Sequence, residues 1–204
     1  MLKKSMRYAL TLIISALLAA CAGLSPTVKS NTQTLNTHQI AKMAGWQLTG
    51  RFAYREMATN NGFTAAIVWD QQHLPLQQTH MTITGPLSLW HAHFIATNKD
   101  ATLMLSDGKV FHAASIEALL RANVAWYLPV TALNSWLFAL PEPGSHATLK
   151  RNEAGEVTTL IQSGWTIDYS AYQVISGYRL PKRLTLTKGP LQLKLAIEQW
   201  NVTL

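Results

Sequence analysis

Apolar residues recur at every second position through most of this chain, and that period decides what it can become. Trp46, Leu48, Gly50, Phe52 and Tyr54 share one side of a strand, with Gln47, Thr49, Arg51 and Ala53 on the other, because successive side chains of an extended backbone point to opposite faces. Asn60-Asn61-Gly62 turns the chain. Phe63, Ala65, Ile67 and Trp69 repeat the pattern, although their opposite side, Thr64, Ala66 and Val68, is nearly as apolar. Shorter runs follow at Met81 and Ile83, at Trp90, Ala92 and Phe94, and at Leu103 and Leu105. Asp107-Gly108 then makes a hairpin turn into Val110-Phe111. Later come Leu149, Leu160-Ile161, the set Trp165, Ile167 and Tyr169, Leu184 with Leu186, and finally Leu191, Leu193, Leu195 and Ile197. Trp200 and Val202 break that last register, so a bulge is expected near Gln199.

Two helical patterns interrupt the strands. Ser115 caps a segment with Ile116, Leu119 and Leu120 on one side. Beyond Pro129, Thr131 is the expected cap of a second, with Leu133, Trp136, Leu137 and Leu140 at i, i+3, i+4 and i+7 before Pro141. A third short helix is expected over Thr37–Ala44, capped by Thr37 and presenting Ile40, Met43 and Ala44. The count is about eleven strands and about three helices, without internal repeats or a βαβ rhythm. An antiparallel sheet of that size with one wet face closes or curls. The fold class is therefore mostly β with an α lid: a curved antiparallel sheet whose concave side the helices cover, leaving a hydrophobic cavity between.

The N-terminus has a different grammar. Lys3, Lys4 and Arg7 precede an apolar run from Tyr8 to Ala20, the plan of a secretory signal peptide and too short for a membrane span of about 20 residues. Leu18-Ala19-Ala20-Cys21 resembles the bacterial lipobox, in which the cysteine becomes the acylated first residue of the mature protein. The plainer alternative is an ordinary signal peptide with a cysteine nearby. On the lipobox reading residues 1–20 are signal peptide, 21–36 are the lipidated Cys21 with a Ser/Thr/Asn/Gln-rich tether, and 37–204 are a single domain. By the same resemblance Ala22, where aspartate would mean inner-membrane retention, sends the protein to the outer membrane of a Gram-negative bacterium, facing the periplasm. Cys21 is the sole cysteine, so acylation leaves no thiol for a disulfide, and the fold must be stable through its core.

Loss of Lys3, Lys4 and Arg7 with the signal peptide leaves 14 basic residues against 10 acidic, a charge near +4. That favours anionic surfaces mildly and falls short of a nucleic-acid footprint. Only 13% of residues are charged, against seven tryptophans; soluble domains carry about 25% charged residues. So apolar a chain hides a large core or lines a cavity.

Catalytic signatures are missing. His91 and His93 sit at i, i+2 without a third ligand at motif spacing, and read as sheet histidines rather than a metal pair. There is no G-x-S-x-G elbow and no phosphate loop. The carboxylates are scattered, so neither an enzyme nor a cofactor or metal site is expected. One turn stands out: Thr84-Gly85-Pro86-Leu87-Ser88. Gly, Pro and Ser suit a turn; Leu87 does not. It is either folded back onto the core or exposed to a membrane or partner.

These pieces together resemble the LolB family of outer-membrane lipoprotein receptors. They are the lipobox cysteine, Gly50-Arg51-Phe52-Ala53-Tyr54, a strand ending in Trp69, Pro86-Leu87, Leu128-Pro129…Leu133…Trp136-Leu137…Leu140-Pro141, and Leu193…Trp200 in that order. The resemblance implies an open eleven-stranded half-barrel with a helical lid. It implies a chaperone-like monomer that accepts lipoproteins from a soluble periplasmic carrier (LolA-like) and inserts them into the outer membrane without ATP. In the family a leucine that promotes delivery follows the proline of an Asn-Pro-Leu-Gly turn; here it corresponds to Leu87, with Pro86 before it, while Gly85 and Ser88 replace the flanking Asn and Gly. Three acyl chains, of the palmitate type, hold roughly 45 methylenes, whose exposure costs on the order of 30–40 kcal/mol at about 0.8 kcal/mol each. Such cargo needs a carrier. Phe52, Trp69, Trp126, Trp136 and Leu137 are the expected cavity lining, each with plain core packing as its alternative. Two other readings are a carrier for another envelope lipid or glycolipid, and a structural lipoprotein accessory to an outer-membrane assembly complex.

Overall fold

The computed structural model describes residue 39 and residues 43–73, 76–123 and 127–203. The signal peptide, Cys21, the tether, most of the expected Thr37–Ala44 helix and Trp126 lie outside the described residues. Eleven antiparallel strands form one sheet: β1 (Gly45–Glu56), β2 (Asn61–Gln72), β3 (Gln78–Thr84), β4 (His91–Thr97), β5 (Ala101–Leu105), β6 (Val110–Ala113), β7 (Ala147–Arg151), β8 (Val157–Gln162), β9 (Trp165–Ile175), β10 (Tyr178–Lys188) and β11 (Leu191–Thr203). Their order is β6-β5-β4-β3-β2-β1-β11-β10-β9-β8-β7, so the sheet is unclosed, with β6 and β7 at its edges and β1 at its centre. Two helices, α1 (Ile116–Asn123) and α2 (Val130–Trp136), occupy the crossover between the two halves.

Strand alternation holds nearly throughout. Trp46, Leu48, Phe52 and Tyr54 of β1 are buried while Arg51 and Arg55 are exposed, and Ala65, Ile67 and Trp69 of β2 face inward against exposed Thr64, Ala66 and Val68. The turn after β1 sits slightly earlier than its Asn60-Asn61-Gly62 signal: Asn60 takes a positive φ and Gly62 already pairs with Arg55. The expected bulge is present. Thr49 pairs with Gln199 but Gly50 with Ile197, so Glu198 is extra, which turns Trp200 back to the interior. Gly50 permits it, since a Cβ there would press into the Ala196 carbonyl oxygen. A second irregularity at Pro181–Arg183 places proline where no ladder bond is required. It leaves the Pro181 carbonyl to accept from Trp200 Nε1 at 3.1 Å.

α1 starts as the sequence indicates, the Ser115 hydroxyl accepting from the Ala118 amide at 3.2 Å, and packs on β5 and β6. α2 differs. It begins at Val130 after Pro129, and Thr131 is not its cap. The Thr131 amide and hydroxyl instead donate to Glu117 of α1 at 2.7 and 2.8 Å, so a carboxylate from the other helix serves the N-terminus. The helix also ends at Trp136 rather than Leu140, with Ala139 at positive φ. Leu137, Phe138 and Ala139 are nevertheless buried, so the segment from α2 to Ala139 crosses the inner side of the sheet as one apolar strap.

We expect Gly50→Ala to cost about 2 kcal/mol by overpacking the bulge, read as a lower urea midpoint with an unchanged slope.

Candidate functional site

The inner face beneath the strap is where apolar residues from most of the sheet meet. Phe138 rests its ring on Trp46 of β1 (5.8 Å between centroids) and on Trp200 of β11 (5.1 Å). On the other side, Trp136 packs on Trp165 of β9 at 6.2 Å. The strap thus spans from β9 to the central strands, and polar contacts hold it from Thr131 at its start to Glu142 beyond its end. Gln162 of β8, 2% exposed, accepts through Oε1 from Trp136 Nε1 and from the Glu142 amide, both at 2.8 Å. Its Nε2 donates to the carbonyls of Glu142 (2.8 Å) and Ser145 (3.1 Å) and to the Ser145 hydroxyl (2.7 Å). The Tyr169 hydroxyl donates to the Trp136 carbonyl at 2.8 Å; burial pushes that phenol well above its ordinary pKa, so it remains a donor. Such bonds are specific and individually worth about 1 kcal/mol, so they latch the strap without welding it.

Of the residues expected to line a cavity, the structure brings Phe52, Trp69, Trp136 and Leu137 into one continuous buried core. They pack there against other apolar side chains, and Phe52 also borders a hollow on the opposite face. The physical reason is energetic: an empty apolar hollow of about 700 Å³ would cost about 17 kcal/mol at roughly 24 cal/mol per Å³, more than a domain's whole stability of about 5–15 kcal/mol. The chain's own strap covers this part of the inner face. Sequence reasoning missed Phe138, which lies off the helical stripe and turns inward only because α2 stops early. It also missed Gln162, although a glutamine at an inward position of the β8 alternation is a visible signal.

A hollow of about 710 Å³ does exist, on the opposite face. Its floor is the outer side of β1, β2, β10 and β11: small residues Ala53, Ala66 and Ala196 with the cations Arg51, Arg183 and Lys194. The turn carrying Pro86 and Leu87 forms one wall. Only Phe52 of the expected lining borders it.

That turn is a single 3-10 turn, Pro86–Ser88. Leu87 is 92% exposed and Leu89 77%, so Leu87 is not folded back onto the core. Its backbone has φ 54 and ψ 21 and Ser88 has φ 57, left-handed conformations that cost a non-glycine residue about 1–2 kcal/mol each. The Ser88 and Leu89 amides close the turn on the Gly85 and Pro86 carbonyls at 3.1 Å. Gly85 is required because a Cβ there would collide with the Trp90 indole, which packs on Phe63 of β2 at 5.5 Å. The turn is therefore built on the core and aims its leucine at solvent. On the outer side of β4, His93 Nδ1 and the Thr82 hydroxyl share a hydrogen bond of 2.8 Å. Burial and the neighbouring His80 and His91 lower the His93 pKa.

Comparison with known proteins agrees with this architecture. The chain is 32% identical to the outer-membrane lipoprotein LolB of Ectopseudomonas mendocina, over 96% of its own length and 97% of that protein's. In structure it resembles a DUF1329 family protein from Desulfovibrio piger (TM-score 0.51, 7% identity, 81% of this chain and 88% of that one). It also resembles a putative outer membrane lipoprotein-sorting protein domain from Vibrio parahaemolyticus (TM-score 0.50, 7% identity, 81% and 88%). These two share the fold alone. The family described as outer membrane lipoprotein LolB matches residues 44–200, nearly the whole sheet with its strap and its exposed leucine turn, and the chain belongs to that family.

Proposed function

We propose that this outer-membrane lipoprotein receives acylated lipoproteins from a soluble, LolA-like periplasmic carrier and passes them to the outer membrane without catalysis, anchored through acylated Cys21. The observation that carries this reading is the pairing of an apolar inner face, whose central strands a latched strap covers, with a leucine held out in a strained turn. The acyl chains enter where Trp136, Leu137 and Phe138 now lie, so cargo and strap compete for the same surface, Phe52 and Trp69 included. Trp126 belongs to the same proposed lining. Exchange of strap for cargo keeps apolar area buried throughout, and no external energy source is needed if the bilayer holds the chains more tightly than this protein does.

Leu87, preceded by Pro86, is the element proposed to enter the bilayer. Transfer of a leucine from water to an apolar phase is worth about 1.5–3 kcal/mol, enough to bias the turn toward a membrane and too little to anchor the protein. Arg51, Arg183 and Lys194 in the adjoining hollow would face the phosphates of the same bilayer, which suits a chain with mild positive charge.

Loss of the latch should loosen the strap. In Gln162→Leu the Trp136 and Glu142 N–H groups lose their acceptor, a cost of about 3 kcal/mol, visible as faster proteolysis between Val130 and Ser145. Ser88→Gly should raise stability by about 1 kcal/mol by relieving the left-handed serine, with delivery intact. The function itself is tested by reconstitution: carrier loaded with lipoprotein, this protein, and outer-membrane vesicles. Leu87→Glu is expected to take cargo normally and to deliver it at least tenfold more slowly, on the order of the 1.4 kcal/mol that one leucine can supply. Normal delivery by that variant would remove Leu87 from the mechanism, and failure of the unaltered protein to take cargo would remove the function.

A further inference from the structure

Among the described residues five buried indoles, those of Trp46, Trp69, Trp136, Trp165 and Trp200, lie along the inner face near the strap, and they are not equally satisfied. Trp136 donates to Gln162 and Trp200 donates to Pro181. Trp46 and Trp69 have no acceptor for Nε1–H, although they are only 3% and 1% exposed. Buried indole N–H groups usually find a partner, and one left without costs about 1–3 kcal/mol. Here two such orphans stand together, their rings 5.4 Å apart and tilted by 52°.

None of the described residues beside them accepts from either indole. Across the ladder, Trp69 faces Leu48 and Met81, and Trp46 faces Val202 on one side. On its other side is Gln71, whose Oε1 already accepts from the Thr79 hydroxyl at 2.7 Å and whose Nε2 donates to the Gln72 and Gln78 carbonyls. Phe138 of the strap covers Trp46 with a hydrocarbon ring. Phenylalanine would fill most of the same space with no polar group to strand, so the cost is borne by this face as it stands.

We infer that Trp46 and Trp69 are a donor pair for the carbonyl oxygens of the cargo's acyl linkages, the esters that join fatty chains to a glyceryl-cysteine. This rests on the function proposed above. Fatty chains carry no acceptors; the linkage carbonyls are the neutral polar groups drawn in with them. Such a carbonyl, buried without a donor, pays the mirror image of the indole's penalty. When the strap withdraws and chains replace it, each orphan donor meets an orphan acceptor and both penalties disappear. The contact also sets depth: hydrocarbon slides along an apolar wall, whereas a carbonyl held by two indoles fixes where the glyceryl group stops. The ring that covers Trp46 does not imitate this contact, because the Phe138 side chain offers no acceptor. The pair therefore favours cargo over the closed state without making the closed state fall apart.

The test compares two synthetic lipopeptides that differ only in linkage: a bis(palmitoyloxy)propyl-cysteine peptide and its bis(hexadecyloxy)propyl ether twin. Each is titrated into the full-length chain in non-ionic detergent. Both twins partition into micelles alike, so the ratio of their affinities isolates the carbonyls. The unaltered protein is expected to prefer the ester by about tenfold, two modest hydrogen bonds' worth. In Trp46→Phe/Trp69→Phe that ratio should fall to about one, with a urea midpoint no lower than that of the unaltered protein. Equal binding of the twins by the unaltered protein, or an undiminished ratio in the double variant, overturns the pair while leaving the receptor function standing. Binding of neither twin overturns both.

Discussion

One constraint governs this protein: the inner face of its sheet is too apolar to meet water, and something must always cover it. In an ordinary β protein a second sheet does so permanently. Here the cover comes from the same chain: α1 over β5 and β6, and over the central strands a strap of about ten residues, α2 with Leu137, Phe138 and Ala139. A cover of that size can be exchanged for hydrocarbon of similar extent. A dry apolar cavity of several hundred Å³ would outweigh the stability of the fold, so the chain gains by covering this face itself.

The strap's attachments suit a cover that moves. Its apolar contacts are non-directional and are equally well made by fatty chains. Its polar contacts, through Gln162, Tyr169 and Glu117, cluster toward β8, β9 and α1, while over the central strands only rings touch rings.

The two faces of the sheet divide the labour. The outer one carries cations over a floor of small residues, and beside it Leu87 is held at positive φ by a turn that leans on Trp90 and Phe63. Backbone strain of this kind persists where the surroundings impose it, and it tends to mark function. A relaxed turn would let Leu87 fold back; this one does not.

Much of this was legible beforehand, for a definable reason. Period-2 alternation says which way each side chain points, so eleven strands, the bulge beside Gln199 and the split between faces followed from the order of residues alone. The oddity of Leu87 in a turn followed too. Other features depend on what lies across space. The helical stripe through Leu140 was only apparent, because nothing local reveals that Ala139 reverses the backbone or that Glu117 takes the role expected of Thr131. Strand alternation places Trp69, and helical spacing Trp136, on apolar faces, but neither period says whether the inside is hollow or distinguishes an indole with an acceptor from one without. Periodicity is a property of one strand; packing and hydrogen bonding join strands far apart in sequence, and only the folded chain decides them.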